Sequence, residues 1–281
     1  MPDPRTDGKS TTLVSAGLTI TPLSDGYLPG SYRVLRGIEL ADAARMVGDA
    51  TSGSAPPPVS VNAFMVADAQ GHLTLIDSGA GNTMGDTVGR LRANVLAAGF
   101  DPAAIQRVLL THIHPDHSNG LLSPDRQVVF PNAEVLVHEA ELKYWSDASH
   151  STGSRLDQLS FGTAAAVIGA LADRFRTFRG GEVAPGIEVE PLPGHTPGHV
   201  GYRIGDLLIW GDMVHFQDIQ AERPDVTVVF DSDPSLAAAT RRRTLAMAAA
   251  EGLRVVGMHT RFPAFYRVDP FRDAFVIRED R

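Results

Sequence analysis

Three histidines and one aspartate lie within six residues, in a His-x-His-x-Asp-His motif at residues 112–117. The preceding run, Ile105–Leu110, ends in apolar residues and predicts a buried strand. A strand that ends at Thr111 places the motif on the loop beyond its carboxyl end, where catalytic groups tend to lie in layered α/β folds. Because neutral imidazoles and carboxylates are suitable ligands for zinc or a similar divalent ion, the motif predicts a metal site rather than a solvated turn.

The same feature recurs along the chain, since several other strand-like runs also end at a residue that can bind or orient a metal ion. A structural role would explain any one of these residues taken alone. Their recurrence at the ends of five separate runs indicates a common site instead. In chain order, the five residues are Asp77, His112, His195, Asp212 and His259.

Composition limits the chemistry and the partners of this chain of 281 residues. It contains no cysteine, so any metal must be held by histidine, aspartate or glutamate. A formal charge of −8 argues against binding to nucleic acid or to an anionic membrane, because both require clustered basic residues. The first residues are polar, and no apolar run of about 18 residues occurs. We therefore expect a cytoplasmic protein without a membrane segment.

The local patterns predict a disordered segment at residues 1–12 and a single domain over residues 13–281. Apolar residues at helical spacing predict that Thr87–Ala98 is an amphipathic helix. The basic run Arg241–Arg243 is expected on the solvated face of the last helix. A tail without further elements is expected after His259. The predicted helices are Thr87–Ala98, Glu139–Trp145, Thr163–Phe175 and Asp233–Glu251.

The ordered set of strand-end residues resembles the metallo-β-lactamase superfamily, over about residues 13–265. The resemblance implies an α+β fold, a four-layer αββα sandwich with a dinuclear metal site at the edge of the two sheets. It implies two divalent ions per chain, with zinc preferred and manganese, cobalt or iron as alternatives. Asp212 would bridge both ions, and Asp77 would orient a ligand imidazole. The implied ligands are His112, His114 and His195 for the first ion, and Asp116, His117 and His259 for the second.

Several local stretches, including Val61–Phe64, Tyr144–Trp145 and Trp210–His215, are similar to the methyl parathion hydrolase and lactonase branch of that superfamily. This similarity implies a homodimer that hydrolyses small lactones or esters, with incidental activity on organophosphate triesters. A metal-bridging hydroxide would attack the substrate. Asp212 and Asp116 are the expected catalytic residues, and either Asp116 or a metal-bound water would protonate the leaving group. Trp145, Phe64 and His215 are the expected substrate contacts.

Two other functions are compatible with the motif. One is hydrolysis of β-lactams, although several β-lactamases of this fold place a cysteine near the position of Asp212, and this chain has none. The other is a non-catalytic metal-binding protein of the same fold. The seven intact ligand positions argue against that second alternative.

Overall fold

Two mixed sheets of seven strands each form the centre of the protein. The structure is a computed structural model, and it describes residues 12–48 and 56–280. Residues 1–11 of the segment predicted to be disordered, residues 1–12, therefore lie outside the described residues. Within that described part, the strands are β1 (Leu13–Ser15), β2 (Leu18–Leu28), β3 (Leu35–Arg36), β4 (Val59–Ala67), β5 (Leu73–Ile76), β6 (Ile105–Leu109), β7 (Glu134–His138), β8 (Phe175–Phe178), β9 (Glu182–Ala184), β10 (Ile187–Pro191), β11 (Val200–Ile204), β12 (Leu207–Ile209), β13 (Thr227–Val228), β14 (Arg254–Val256), β15 (Tyr266–Phe271) and β16 (Ala274–Glu279). The described α-helices are α1 (Leu40–Met46), α2 (Leu91–Ala97), α3 (Pro115–Ser118), α4 (Glu139–Trp145), α5 (Arg155–Ala170), α6 (Gln217–Gln220) and α7 (Pro234–Glu251).

The first sheet has the strand order β1-β2-β4-β5-β6-β7-β8, and the second has the order β16-β15-β14-β12-β11-β10-β9. In the first sheet, strands β5 to β8 are parallel, whereas the other pairs are antiparallel. In the second sheet only β12 and β14 are parallel. The parallel strands extend from the centre of the first sheet to its β8 edge and lie at the centre of the second sheet.

The two sheets pack face to face through apolar side chains that alternate along each strand. In β4, Phe64 and Val66 face the second sheet, where they join a cluster that includes Tyr202 and Ile209. Successive strand side chains point to opposite faces, so Met65 of β4 faces outward. The inter-sheet core is therefore a consequence of strand periodicity.

Helices cover the outer face of each sheet and complete the four layers. Leu91 and Val95 of α2, together with Val167 of α5, pack against the outer face of the first sheet. Leu245 and Ala248 of α7 pack against the outer face of the second. This arrangement confirms the predicted αββα sandwich.

The structure differs from the predicted elements at three places. Helix α2 begins at Leu91 rather than Thr87, because the Asp25 carboxylate accepts the N–H groups of Gly89 and Leu91 and fixes a turn before it. Helix α5 begins at Arg155, where Ser154 caps it, and residues from Phe175 onward pair with β7 as strand β8. The expected tail after His259 instead contains the β15–β16 hairpin.

That hairpin exists because alternate residues can be buried beneath α7. Tyr266, Val268 and Ile277 join the cluster formed by α7 and the outer face of the second sheet.

None of the helices in the described ranges has the length and apolar character that crossing a membrane requires.

Candidate metal centre

Three histidines from two strand ends converge at the edge shared by the sheets. The Nε2 atom of His112 lies 2.9 Å from Nδ1 of His114, which in turn lies 2.9 Å from Nε2 of His195. The Oδ2 atom of Asp212 lies 3.5 Å from Nε2 of His195 and 3.8 Å from Nε2 of His112. These four side chains form one group that could hold a metal ion.

A second group forms beside the first from Asp116, His117 and His259. The Oδ2 atom of Asp116 lies 3.5 Å from Nε2 of His259, and its Oδ1 atom lies 3.7 Å from Nε2 of His117. Asp212 also contacts this group, since Oδ1 is 3.2 Å from Nε2 of His117 and Oδ2 is 3.0 Å from Nε2 of His259. The carboxylate of Asp212 therefore lies between the two groups, as the expected bridging role requires.

Glycines allow the ligand-bearing loops to approach their neighbours closely. A Cβ atom on Gly120, which follows α3, would lie 1.7 Å from the carbonyl oxygen of Ser78. Gly211, just before Asp212, has a φ of 58°, and a Cβ there would lie 2.3 Å from Nε2 of His199. Larger residues at either position would displace the loops that carry the candidate ligands.

Four imidazoles are oriented by hydrogen bonds at the ring nitrogen that faces away from the cluster. These bonds fix which nitrogen is available to a metal ion and raise its basicity. The pairs are His112 Nδ1 with Thr111 Oγ1 (3.0 Å), His117 Nδ1 with Asp77 Oδ2 (2.7 Å), His195 Nδ1 with Asp231 Oδ1 (2.8 Å) and His259 Nδ1 with the Ser60 carbonyl oxygen (2.8 Å).

Asp77 is fully buried and orients more than one element of the site. Besides His117, its carboxylate accepts hydrogen bonds from the N–H and the hydroxyl of Thr111, at 2.7 and 2.8 Å. Its φ of 58° lies in the left-handed region, which is unfavourable for a residue with a Cβ atom. The surrounding contacts maintain that conformation at the end of β5, where it directs the carboxylate toward the ligand loop.

Two orienting carboxylates escaped the sequence analysis. Asp231 directly follows the strand-like run Val226–Phe230 but was not assigned to the site, and the structure alone shows that it orients His195. Glu141 of α4 is fully buried, and its carboxylate accepts the N–H groups of Ile113 at 3.0 Å and Gly198 at 2.9 Å. It thereby joins the loop of His112 and His114 to the loop that follows His195. The sequence signals that could have found them are the position of Asp231 directly after a strand-like run and that of Glu141 between Ala140 and Leu142.

Burial and neighbouring charges divide the histidines into two electrostatic classes. Burial lowers the pKa of His112 and of His114 well below the usual value, and the charge of Asp212 offsets this only in part. Burial also acts to lower the pKa of His117, but the charges of Asp212, Asp116 and Asp77 raise it well above the usual value. The pKa of His259 is raised in the same way, by Asp212 and Asp116 against burial.

The polar atoms of the cluster are better satisfied by divalent cations than by hydrogen bonds within the protein. Nε2 of His117 and Oδ1 of Asp212 are buried and face the cluster, and their 3.2 Å contact lacks the geometry of a hydrogen bond, so neither atom has a hydrogen-bond partner. Three imidazole nitrogens lie within 2.9 Å of their neighbours, and hydrogen bonding cannot satisfy all three at once because a neutral imidazole has a single donor. Nitrogen and carboxylate ligands of this kind suit zinc and related ions.

The remaining predicted residues differ in their positions. Trp145 and His215 line a pocket of about 320 Å³ that ends at the candidate ligands. Phe64 does not line it: its position on β4 turns the ring into the inter-sheet core, so the expected substrate contact is corrected. His199 is buried beside the cluster, where Nδ1 contacts the Leu192 carbonyl oxygen at 2.8 Å and Nε2 accepts the Asp212 N–H at 3.0 Å.

Similarity to solved structures extends over nearly the whole chain. The hydrolase AbOPH of the beta-lactamase superfamily is 27% identical, with a TM-score of 0.87, over 96% of this chain and 97% of that chain. AidC, a dizinc quorum-quenching lactonase in complex with a product, is 22% identical, with a TM-score of 0.88, over 96% of this chain and 97% of that chain. An N-acyl homoserine lactone hydrolase with N-hexanoyl-L-homoserine bound is 17% identical, with a TM-score of 0.63, over 90% of this chain and all of that chain.

The structures below 25% identity show the common fold alone. A search of curated proteins finds no match to this sequence. A sequence model of the metallo-beta-lactamase superfamily matches residues 56–259, well over half of the chain and including every candidate ligand. By this match, and by the fold and cluster described above, the chain belongs to the metallo-β-lactamase superfamily.

Proposed function

We propose that the protein is a dinuclear-metal hydrolase of uncharged lactones and esters. The observation that carries the proposal is the shared position of Asp212 between two ligand groups at the end of an apolar pocket. One divalent ion would be held by His112, His114 and His195, and the second by Asp116, His117 and His259. Zinc is the proposed ion, because imidazole and carboxylate ligands suit it. When bound, such ions polarise a carbonyl oxygen and lower the pKa of water.

Other side chains around the pocket would form its walls and transfer a proton. Trp145 lies against His114, with ring centroids 5.3 Å apart, and forms one wall beside the proposed ligands. His215 lies on another side, with Nε2 3.2 Å from Oδ2 of Asp212. Asp116 reaches the pocket surface, and we assign to its carboxylate the uptake of the proton that the attacking water releases and the transfer of that proton to the leaving alkoxide.

The pocket favours an uncharged substrate with an apolar group. Among the described residues that line it, none is lysine or arginine, whereas Asp157 adds a carboxylate near the outer part. Leucines and aromatic residues, including Leu159 and Phe230, form much of the surface. β-Lactam antibiotics carry a carboxylate close to the ring, and no basic side chain of the described pocket would pair with it. This charge pattern supports a lactone or ester over a β-lactam.

The names of the similar structures support the same substrate class. AidC is described as a lactonase, and AbOPH as a hydrolase of the same superfamily. A neutral phosphotriester would also satisfy the charge pattern, so incidental triester hydrolysis is included in the proposal. We further propose a homodimer on the basis of the sequence resemblance, to be tested by sedimentation equilibrium of the purified chain.

Substrate profiling of the metal-loaded protein tests this function. Apoprotein would be loaded with zinc and, separately, with manganese or cobalt, and kcat/KM measured on an acyl-homoserine lactone, a δ-lactone, an aryl acetate, a phosphotriester and a cephalosporin. We expect a lactone preference of at least about a hundredfold over the cephalosporin, equivalent to about 2.7 kcal/mol of transition-state discrimination. A leading cephalosporin rate would replace this proposal with β-lactam hydrolysis. Metal binding without turnover of any of these substrates would favour the non-catalytic alternative.

A further inference from the structure

Arg241 is an unusual residue because its side chain is fully buried in the middle of α7. The sequence predicts that the basic run Arg241–Arg243 lies on the solvated face of this helix, and Arg242 and Arg243 are indeed exposed. Arg241 instead is only 1% exposed. Arginine is almost never buried without compensating partners, because removal of a guanidinium from water is costly. The contacts of Arg241 therefore indicate what its burial maintains.

The hydrogen bonds of the guanidinium go to main-chain carbonyl oxygens of two loops. Nε donates to the carbonyl oxygen of Met213 at 2.7 Å. Nη1 donates to the carbonyl oxygens of Pro224 and Val226, both at 2.9 Å. Since a guanidinium has its donors in a rigid planar fork, it fixes the relative position of these two loops in a way that a flexible ammonium would not.

The first loop carries candidate metal residues. Met213 directly follows Asp212, which lies between the two ligand groups. The side-chain oxygen of Gln220, the last residue of α6, accepts the N–H of His215 in this loop at 2.7 Å, while its amide donates to the Val226 carbonyl oxygen at 3.0 Å. The Val226 carbonyl thus accepts from both Arg241 and Gln220, and the two side chains form one buried network.

The second loop leads to the carboxylate that orients His195. The N–H of Val228, two residues beyond Val226, donates to Oδ2 of Asp231 at 2.9 Å. The other carboxylate oxygen of Asp231 accepts the hydrogen bond from His195. A single guanidinium therefore connects the backbone next to Asp212 with the loop whose carboxylate orients a ligand of the first group.

We propose that Arg241 is a positioning residue for the metal centre, which holds Asp212 and, through Asp231, His195 in the geometry that binds metal. The inference rests on the proposed function, since it assigns these residues to a metal site. It goes beyond that function by placing a determinant of metal affinity in the core of a helix, away from the pocket. A residue that merely stabilised the fold would affect unfolding without affecting metal affinity.

The test compares Arg241→Lys and Arg241→Gln with Leu245→Ala, a matched control one turn further along the same helix. Leu245 is fully buried in the core between α7 and the second sheet and has no hydrogen-bonding side chain, so its truncation removes packing without removing a hydrogen bond to either loop. For each variant, the zinc dissociation constants would be measured by competition with a chromophoric chelator, the cobalt absorption spectrum recorded, and the free energy of unfolding of the apoprotein determined with urea.

We expect both Arg241 variants to bind zinc about 10- to 100-fold more weakly, the range typical of lost outer-sphere support, with an altered cobalt spectrum. Leu245→Ala should lower stability and leave zinc affinity and the spectrum at wild-type values. Wild-type affinity in a folded Arg241 variant would overturn the inference, as would failure of both variants to fold, which would make Arg241 a residue of stability. Absence of metal binding by the wild-type protein would overturn the proposed function itself.

Discussion

His195 and Asp231 form a hydrogen bond of 2.8 Å between Nδ1 and Oδ1, although 36 residues separate them in sequence. Both side chains are buried. The carboxylate fixes the ring so that Nε2 faces the other candidate ligands, and it increases the basicity of that nitrogen. The pairing makes Asp231 part of the candidate metal centre, to which the sequence analysis had not assigned it.

Replacement of Asp231 by asparagine should weaken metal binding. The asparagine amide would place a donor against either the Val228 N–H or the His195 ring, because both oxygens of the aspartate accept hydrogen bonds. We expect zinc affinity to fall about 10- to 100-fold in a chelator competition assay. Asp225→Asn is the matched control, because Asp225 is exposed and pairs with Arg223. Equal affinities in the two variants would contradict the prediction.

Removal of Asp212 should affect both ligand groups at once. Its carboxylate lies within 3.2 Å of His117 and within 3.5 Å of His195, so Asp212→Ala deletes the ligand that we propose both groups share. We expect metal content to fall and lactone turnover to be abolished, as measured by elemental analysis and by kcat. Full activity in this variant would exclude Asp212 as a shared ligand.

Metal binding should release protons from the second group but not from His112 and His114 of the first. The raised pKa values of His117 and His259 keep these rings protonated in the apoprotein as the pH rises above about 6.5, the ordinary histidine value. The lowered pKa values of His112 and His114 leave those rings neutral there. Because a metal ion requires neutral imidazoles, the affinity of the second group should rise with pH. Zinc calorimetry in buffers of different ionisation enthalpy would measure the number of released protons. Zinc binding without release of protons would contradict the assignment.

The same shift fixes the sign of the pH dependence of apoprotein stability. The pKa of His117 is raised in the folded state, so its contribution to stability is fully present below about pH 6.5 and is lost as the pH rises through the raised value. Urea unfolding of the apoprotein across this range should therefore show stability that decreases with pH in the wild-type protein and decreases less in His117→Gln, in which His259 retains a raised pKa. An identical pH profile in both proteins would refute it.

Substitution of Leu159 should separate binding of an apolar substrate group from the chemical step. Leu159 lies on α5, is 47% exposed and lines the pocket, so a leucine here is not needed for core packing. Leu159→Asp should raise KM for long-chain acyl lactones about tenfold, consistent with the loss of roughly 1–3 kcal/mol of apolar contact, and leave kcat nearly unchanged. Leu96→Asp on α2 is the control, since Leu96 is 48% exposed and lies outside the pocket lining. Equal KM values for both variants would remove Leu159 from substrate binding.

Glu141→Gln should destabilise the ligand loops. Oε2 of Glu141 accepts the N–H of Ile113 and the indole N–H of Trp145 at 2.8 Å, while Oε1 accepts the N–H of Gly198. An amide group must direct a donor against one of these donors, which leaves a buried polar group unsatisfied and costs about 1–3 kcal/mol. Urea unfolding would measure the loss. Glu139→Gln, at a more exposed position on the same helix, should have little effect, and similar losses in both would contradict this prediction.

Local patterns in the sequence determined where the candidate ligands stand along the chain. Apolar strands that end at His112 or at His259 are recognisable from a few neighbouring residues, because strand periodicity is a short-range property. The order of these residues indicated the superfamily and its αββα sandwich, both of which are confirmed. The ligand roles of the individual residues, and the catalytic role of Asp116, remain predictions.

Contacts between segments remote in sequence determined which charged residues orient the candidate ligands. Asp231, Glu141 and Arg241 carry ordinary charged side chains that local patterns assign to the surface, yet each is buried in the tertiary structure. Burial of a charge is favourable only when hydrogen-bond partners compensate its lost hydration, and here those partners come from loops that only the fold brings together. The positions of the candidate ligands follow from strand patterns, whereas the network that orients them follows from long-range packing.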